Sequence, residues 1–108
     1  MIYYDDFGTS SDCVLAILLK AKQDGKAGLS RVEVRLQTEL SEVDTGTELA
    51  DLIRRDLVTS NVGLYSLTED GEMCAKTVLT DLAPRVKACE ECVKPWIAEL
   101  AIHYSLHK

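Results

Sequence analysis

The sequence predicts a mainly α-helical domain with one small β-hairpin. Helix-capping residues precede three apolar segments in the first half of the chain, and two β-prone runs flank Asn61-Val-Gly63. A heptad-type apolar pattern near the C-terminus predicts further helix. With 108 residues, of which 46% are hydrophobic and 28% charged, the chain has the size and composition of one domain with its own core.

The first predicted helix covers residues 13–22, after the capping run Ser10-Ser-Asp12. It is apolar on nearly every side, which predicts a central, buried position. Gly25 suits the left-handed conformation that ends many helices. Residues 1–9 form an arm of aromatic and acidic residues, and we leave open whether this arm packs on the body or is loose.

The second predicted helix begins at a capping box formed by Ser30 and Glu33, in which each side chain accepts a hydrogen bond from a free backbone N–H of the other residue. Val32, Leu36 and Leu40 follow at a spacing of four residues. This spacing predicts that the three side chains face the core and that the helix runs to about Leu40.

The third predicted helix runs from about Thr45 to Arg55. It begins at a second capping box, Thr45-Gly-Thr-Glu48, and Val43 is placed to pack against the first turn as a hydrophobic staple. The apolar stripe predicted to face the core consists of Leu49, Leu52 and Ile53.

The two β-prone runs begin at Leu57 and Leu64, and the turn-forming Asn61-Val-Gly63 between them predicts a hairpin. Thr68 is the expected N-cap of the next helix. The rest of the chain has a helical pattern with breaks or kinks expected near Pro84 and Pro95.

The segment Leu52–Gly71 resembles the winged-helix signature of MarR-like and PadR-like regulators. The matching steps are Leu57-Val58 at the end of a third helix and Tyr65-Ser-Leu-Thr-Glu-Asp-Gly71 at the start of the next one. Asp56 occupies the position where these families usually have glycine, and Asp tolerates the left-handed conformation better than most residues. The resemblance implies a winged helix-turn-helix domain with an N-terminal arm over residues 1–80.

The same resemblance implies a homodimeric transcriptional regulator that binds double-stranded DNA. Its third helix would enter the major groove, while neighbouring elements and the wing would contact phosphates. The residues assigned to nucleic-acid binding are Thr47, Arg54, Arg55, Arg31, Arg35 and Asn61.

The charge pattern favours an alternative, a winged-helix protein–protein interaction module that does not bind DNA. The net charge is −6, and residues 29–58 carry seven acidic and four basic residues. No Lys or Arg lies between Val58 and Thr68, in the predicted wing. A DNA-binding surface needs cations for phosphates and donors for base edges, so the distribution of charge in three dimensions separates the two functions.

Residues 81–108 are predicted to form a C-terminal helical extension of the same globular unit. Alternating spacings of three and four residues run from Leu79 to His103, which is typical of a coiled-coil seam. We predict that this extension forms the homodimer, with an interface of Leu82, Val86, Cys89, Val93, Trp96, Leu100 and Tyr104.

The remaining polar residues indicate no catalytic or metal site. Cys89-Glu-Glu-Cys92 with His103 and His107 has a zinc-like spacing, but both pairs fall in helical pattern, so structural cysteines are favoured over a zinc site or a redox pair. No phosphate loop or nucleophile motif occurs, so the expected protein is not an enzyme and needs no cofactor. No apolar run of about 18 residues predicts a membrane span. Without an export signal, we expect a cytoplasmic protein with reduced thiols.

Overall fold

The computed structural model describes residues 10–88 and 95–106, except for the side chains of residues 85–88, 95–96 and 105–106. Over these residues the chain is mainly helical with one two-stranded antiparallel sheet, as the sequence predicts. The elements in chain order are α1 (Ser10–Gln23), α2 (Arg31–Thr38), α3 (Glu42–Arg54), β1 (Val58–Asn61), β2 (Leu64–Leu67), α4 (Glu69–Ala88) and α5 (Pro95–Leu106).

Helix α1 lies at the centre of the molecule, as its apolar sequence predicts. Every residue from Cys13 to Leu19 is buried, and α1 contacts α2, α3, α4, α5 and β2. Gly25 follows the helix with a φ of +82°, the left-handed conformation expected of it. A helix that is apolar all round is stable in water only when other elements cover every side of it.

Helix α2 begins at the predicted capping box but buries the opposite face from the one predicted. The Glu33 N–H donates to Ser30 Oγ at 3.2 Å, and the Ser30 N–H donates to Glu33 Oε1 at 3.0 Å. The buried side chains are Val34 and Thr38, and the helix ends at Thr38, earlier than predicted. The Thr38 hydroxyl donates to the Val34 carbonyl at 2.7 Å, which allows a polar side chain into the core.

The predicted stripe on α2 was therefore wrong at two of its three positions. Val32 is 56% and Leu36 is 62% exposed, whereas Leu40, beyond the helix, is buried. Residues 34 and 38 are also spaced by one helical turn, so the helical period alone allows either face to be buried.

Helix α3 begins earlier than predicted, at Glu42. Its N-cap is Ser41, whose Oγ accepts a hydrogen bond from the Asp44 N–H at 3.0 Å. Thr45, the predicted cap, is fully buried and its hydroxyl donates to the Ser41 carbonyl at 2.8 Å. Val43, the predicted staple, is 74% exposed.

The buried face of α3 also differs from the predicted one. The buried positions are Thr45, Leu49 and Leu52, while Ile53, predicted to face the core, is 40% exposed. The outward side is therefore centred on the exposed residues Val43, Thr47, Ala50 and Arg54.

The hairpin forms where the sequence predicts it, with a tighter turn. Asn61 pairs with Leu64 and ends β1, so the turn consists of Val62 and Gly63 alone, at φ of +53° and +78°. Positive φ at both central residues is the requirement of the favoured two-residue hairpin turn. Leu29 extends the sheet by pairing with Tyr65, with N–H···O distances of 3.0 and 2.8 Å.

Thr68, between β2 and α4, is hydrogen-bonded to the two residues that precede β1 and to the first turn of α4. The Thr68 N–H donates to the Leu57 carbonyl at 3.0 Å, the Thr68 hydroxyl donates to the Asp56 carbonyl at 2.7 Å, and the Gly71 N–H donates to the Thr68 Oγ1 at 3.0 Å. Asp56 has a φ of +61°, which confirms the left-handed conformation predicted for it. Thr68 is thereby confirmed as the cap of α4.

Helices α4 and α5 pack on each other and on α1. Pro84 lies inside α4, so the expected break does not occur there, whereas α5 does begin at Pro95. Helix α4 also runs without interruption across the boundary drawn between residues 80 and 81. The C-terminal segment is therefore continuous with the rest of the described core.

Two of the residues predicted for a dimer interface are covered by the chain itself. Leu82 is 3% and Leu100 is 4% exposed in the single chain, so their burial requires no second copy. Tyr104 is half-buried, with the Lys76 ammonium 5.7 Å from its ring centroid. Cys89, Val93 and the side chains of Val86 and Trp96 lie outside the described part of the chain.

Candidate interaction surface on helices α2 and α3

Arg31, predicted to contact DNA, instead joins the first turns of α2 and α3. Its Nη2 donates to the Glu42 carbonyl at 3.1 Å. Gly46 makes room for this arrangement, because a Cβ at that position would lie 2.8 Å from the Arg31 guanidinium carbon. The guanidinium therefore already has an acceptor within the protein.

Arg54 and Arg55, at the end of α3, share one acidic partner. The Arg54 guanidinium is hydrogen-bonded to Asp51, and Arg55 Nη1 lies 3.5 Å from the Asp51 Oδ2. The hydrogen bond from Arg54 is the main cause that lowers the pKa of Asp51 below its ordinary value. A phosphate that contacts either arginine would have to compete with this carboxylate.

The other residues predicted to bind DNA are spread over three elements. Thr47 is exposed on α3, Asn61 is exposed at the end of β1, and Arg35 on α2 is half-buried. Thr47 and Arg54 share the outward side of α3, so the structure places these two on one face.

The lysines at the end of α1 are also engaged with acids. Lys20 forms an ion pair with Asp24 at 2.7 Å, and Lys22 forms one with Glu72. Lys76 approaches the same Glu72 at 3.1 Å. The hydrogen bond from Lys22, followed by the one from Lys76, lowers the pKa of Glu72. These cations are therefore interspersed with carboxylates, and they do not form an uninterrupted basic surface.

The most prominent exposed feature of α2 and α3 is apolar. Val32, Leu36 and Val43 are 56%, 62% and 74% exposed, and we call these three residues the apolar patch. Val32 and Leu36 are neighbours one turn apart on α2. The hydrogen bond from Arg31 to Glu42 brings the first turn of α3, which carries Val43, beside the first turn of α2. This patch was not predicted from the sequence, because Val32 and Leu36 were expected to face the core and Val43 was expected to act as a hydrophobic staple.

Acidic side chains border the apolar patch. Glu33, Glu39, Glu42 and Asp44 are all exposed and lie on or next to the same two helices. Hydrogen bonds from the Ser30 backbone and hydroxyl lower the pKa of Glu33, so this carboxylate stays ionised to a lower pH than an ordinary glutamate does. The patch therefore has a negative border.

The hairpin adds an uncharged surface. The twelve residues from Leu57 to Thr68 include no Asp, Glu, Lys or Arg. Val62 at the turn is 93% exposed and Leu64 is 36% exposed. The hairpin therefore offers DNA no cation of its own.

Among the described residues, no three His, Cys, Asp or Glu side chains are grouped to hold a metal ion. His103 is described, whereas Cys89, Cys92 and His107 of the zinc-like spacing lie outside the description. No described helix is both long and apolar enough to cross a membrane.

Comparison with family models, curated proteins and solved structures found no match for this chain.

Proposed function

We propose that this chain is a winged-helix module that binds another protein through α2, α3 and the hairpin. The winged-helix assignment is supported by the order of three helices, a hairpin and a fourth helix. It is further supported by the pairing of Leu29 with Tyr65. Leu29 lies between α1 and α2, and its pairing adds a third strand position to the hairpin. Fold alone does not define function, so the argument depends on the exposed side chains.

The observation that carries the proposal is the apolar patch on α2 and α3. Three large apolar side chains, each more than half exposed, lie on two adjacent helices of a protein that buries most of its other large apolar residues. Burial of one such side chain under a partner contributes about 1.5–3 kcal/mol to the free energy of binding. Exposed large apolar side chains with polar residues beside them are typical of protein-binding sites.

The charges on the same surface weaken the case for DNA binding. Even nonspecific affinity for DNA comes mainly from cations that displace counterions from phosphates. Here Arg54 and Arg55 share the carboxylate of Asp51, and the Arg31 guanidinium donates a hydrogen bond to the Glu42 backbone carbonyl. Protein binding requires no such cations.

Peptide display tests the proposal directly. A library of random peptides would be selected on the immobilised full chain, and the selected peptides measured by fluorescence polarisation. We expect at least tenfold weaker binding to Leu36→Ser, because the substitution removes an apolar contact. Met73→Ser is the matched control, since Met73 is 64% exposed but lies on α4. If no selected peptide depends on Leu36, the proposal is refuted.

DNA binding as a homodimeric regulator is the second candidate function. It is favoured by the exposure of Thr47 and Arg54 on one face of α3 and by the resemblance of residues 52–71 to known regulators. It predicts that mixed-sequence duplex DNA binds at low salt and that Arg54→Ala weakens this binding. It also predicts a dimeric mass by light scattering at tens of micromolar. Absence of DNA binding at low salt would exclude it.

A further inference from the structure

We infer that the partner segment bound at the apolar patch is an amphipathic α-helix whose apolar stripe is flanked by basic residues. This inference rests on the proposed function and names the chemistry of its partner. Two properties of the patch carry the inference: its three side chains all belong to helices, and exposed acidic residues lie on or next to those helices.

The form of the partner follows from backbone hydrogen bonding. The apolar patch is built by side chains of the helices α2 and α3. The surface of a helix has no row of alternating unpaired N–H and C=O groups such as a strand edge offers to an extended peptide. An extended peptide that docks there would have no backbone partners, and unpaired backbone groups that lose contact with water are costly. A helix satisfies its own backbone and presents apolar side chains three and four residues apart. Such a stripe matches Val32 and Leu36, which are themselves one turn apart.

The charge of the partner follows from the border of the patch. Exposed acidic residues on or next to α2 and α3 outnumber the two arginines of α2, Arg31 and Arg35; the acidic residues are Glu33, Glu39, Glu42 and Asp44. A second copy of this surface would bring like charges together, and a nucleic acid would add phosphates to the same carboxylates. A basic segment complements this border and would associate faster at low ionic strength.

A synthetic peptide pair tests the inference. The probe is a fluorescent helical peptide of Leu, Ala and Lys with leucines at alternating spacings of three and four. The reference peptide has the same composition in scrambled order, so it has equal charge without the stripe. We expect the probe to bind the full chain at least tenfold more tightly than the scrambled peptide, because only the probe can cover the patch.

Variants separate the apolar and charged contributions. Leu36→Ser is expected to weaken probe binding at least tenfold, with Met73→Ser unchanged. Glu42→Gln combined with Asp44→Asn is expected to weaken it about threefold and to reduce its salt dependence, since exposed ion pairs contribute modestly. Circular dichroism of each variant checks that it is folded.

The outcomes distinguish this inference from the proposed function. Equal binding of the probe and the scrambled peptide, or no effect of Leu36→Ser on the probe, would mean that charge alone holds the peptide and would overturn the inference. If peptides selected by display depend on Leu36 but are acidic or extended, the proposed function stands and the inference fails. If no peptide of either kind depends on Leu36, both fail.

Discussion

Alanine is expected to have different effects on stability at two glycines that lie inside helices of this protein. Gly71 lies in the first turn of α4, and a Cβ there would sit 2.8 Å from the Leu57 carbonyl carbon and nearer still to the carbonyl oxygen. Gly46 lies in α3, where a Cβ would meet only the guanidinium end of Arg31. Helix propensity alone predicts that alanine stabilises both positions, by up to about 1 kcal/mol.

For Gly71→Ala the backbone contact outweighs the helix propensity. Forcing the start of α4 away from Leu57 would strain the packing by about 1–3 kcal/mol. The shift would also weaken the hydrogen bonds from Thr68 to the Leu57 and Asp56 carbonyls, each worth about 1 kcal/mol. After the gain in propensity is subtracted, we expect a loss of about 2 kcal/mol in the free energy of unfolding.

For Gly46→Ala the neighbouring group can move. The Arg31 side chain is flexible and exposed, and the substitution costs its one hydrogen bond to Glu42, which offsets the gain in helix propensity. We expect the free energy of unfolding to stay within about 0.5 kcal/mol of the original chain.

Urea unfolding followed by circular dichroism measures both variants. With a slope of about 2 kcal/mol per molar urea, Gly71→Ala should lower the midpoint by about 1 M, and Gly46→Ala should leave it nearly unchanged. A Gly71→Ala variant as stable as the original chain would refute the close contact between α4 and Leu57. Equal losses in both variants would show that a shared effect, such as the substitution of glycine itself, determines stability.

Three further predictions concern the turn, a cap and the core. Val62→Asn should raise the midpoint of thermal unfolding, because a β-branched residue at a φ of +53° is strained by about 1 kcal/mol, whereas asparagine tolerates this conformation. A lower midpoint would contradict the turn geometry. The pKa of Glu33 is depressed by its hydrogen bonds from Ser30, so its stabilisation is present at neutral pH and lost as the pH falls through the depressed value. Urea unfolding should therefore show Glu33→Gln less stable than the original chain at about pH 7, with the difference disappearing once the pH falls below the depressed pKa; a constant difference would argue against the cap. Leu100→Ala should lower the free energy of unfolding by about 2–5 kcal/mol, and the urea midpoint should not depend on protein concentration, because Leu100 is buried within one chain. A midpoint that depends on concentration would favour the predicted dimer seam.

The parts of the fold that were predicted correctly are governed by local chemistry. The capping box of Ser30 and Glu33, the left-handed conformations of Gly25 and Asp56, and the cap at Thr68 each depend on the residue itself and on groups close to it in sequence. Such preferences are strong enough at these positions to be deduced before any tertiary contact is known.

The sequence by itself determined that the chain is mainly helical with one hairpin, that α1 is central, and that the region of α2 and α3 is acidic. Only the tertiary structure decided that Val34 and Thr38 face inward, so that Val32 and Leu36 are exposed. The helical period permits both stripes, and the choice depends on how α2 fits against α1 and α3. It also decided the hydrogen-bond partner of Arg31, because folding brings the Glu42 backbone carbonyl beside its guanidinium. The candidate site follows from those two tertiary choices, which expose the apolar patch and fix Arg31 between the two helices that carry it.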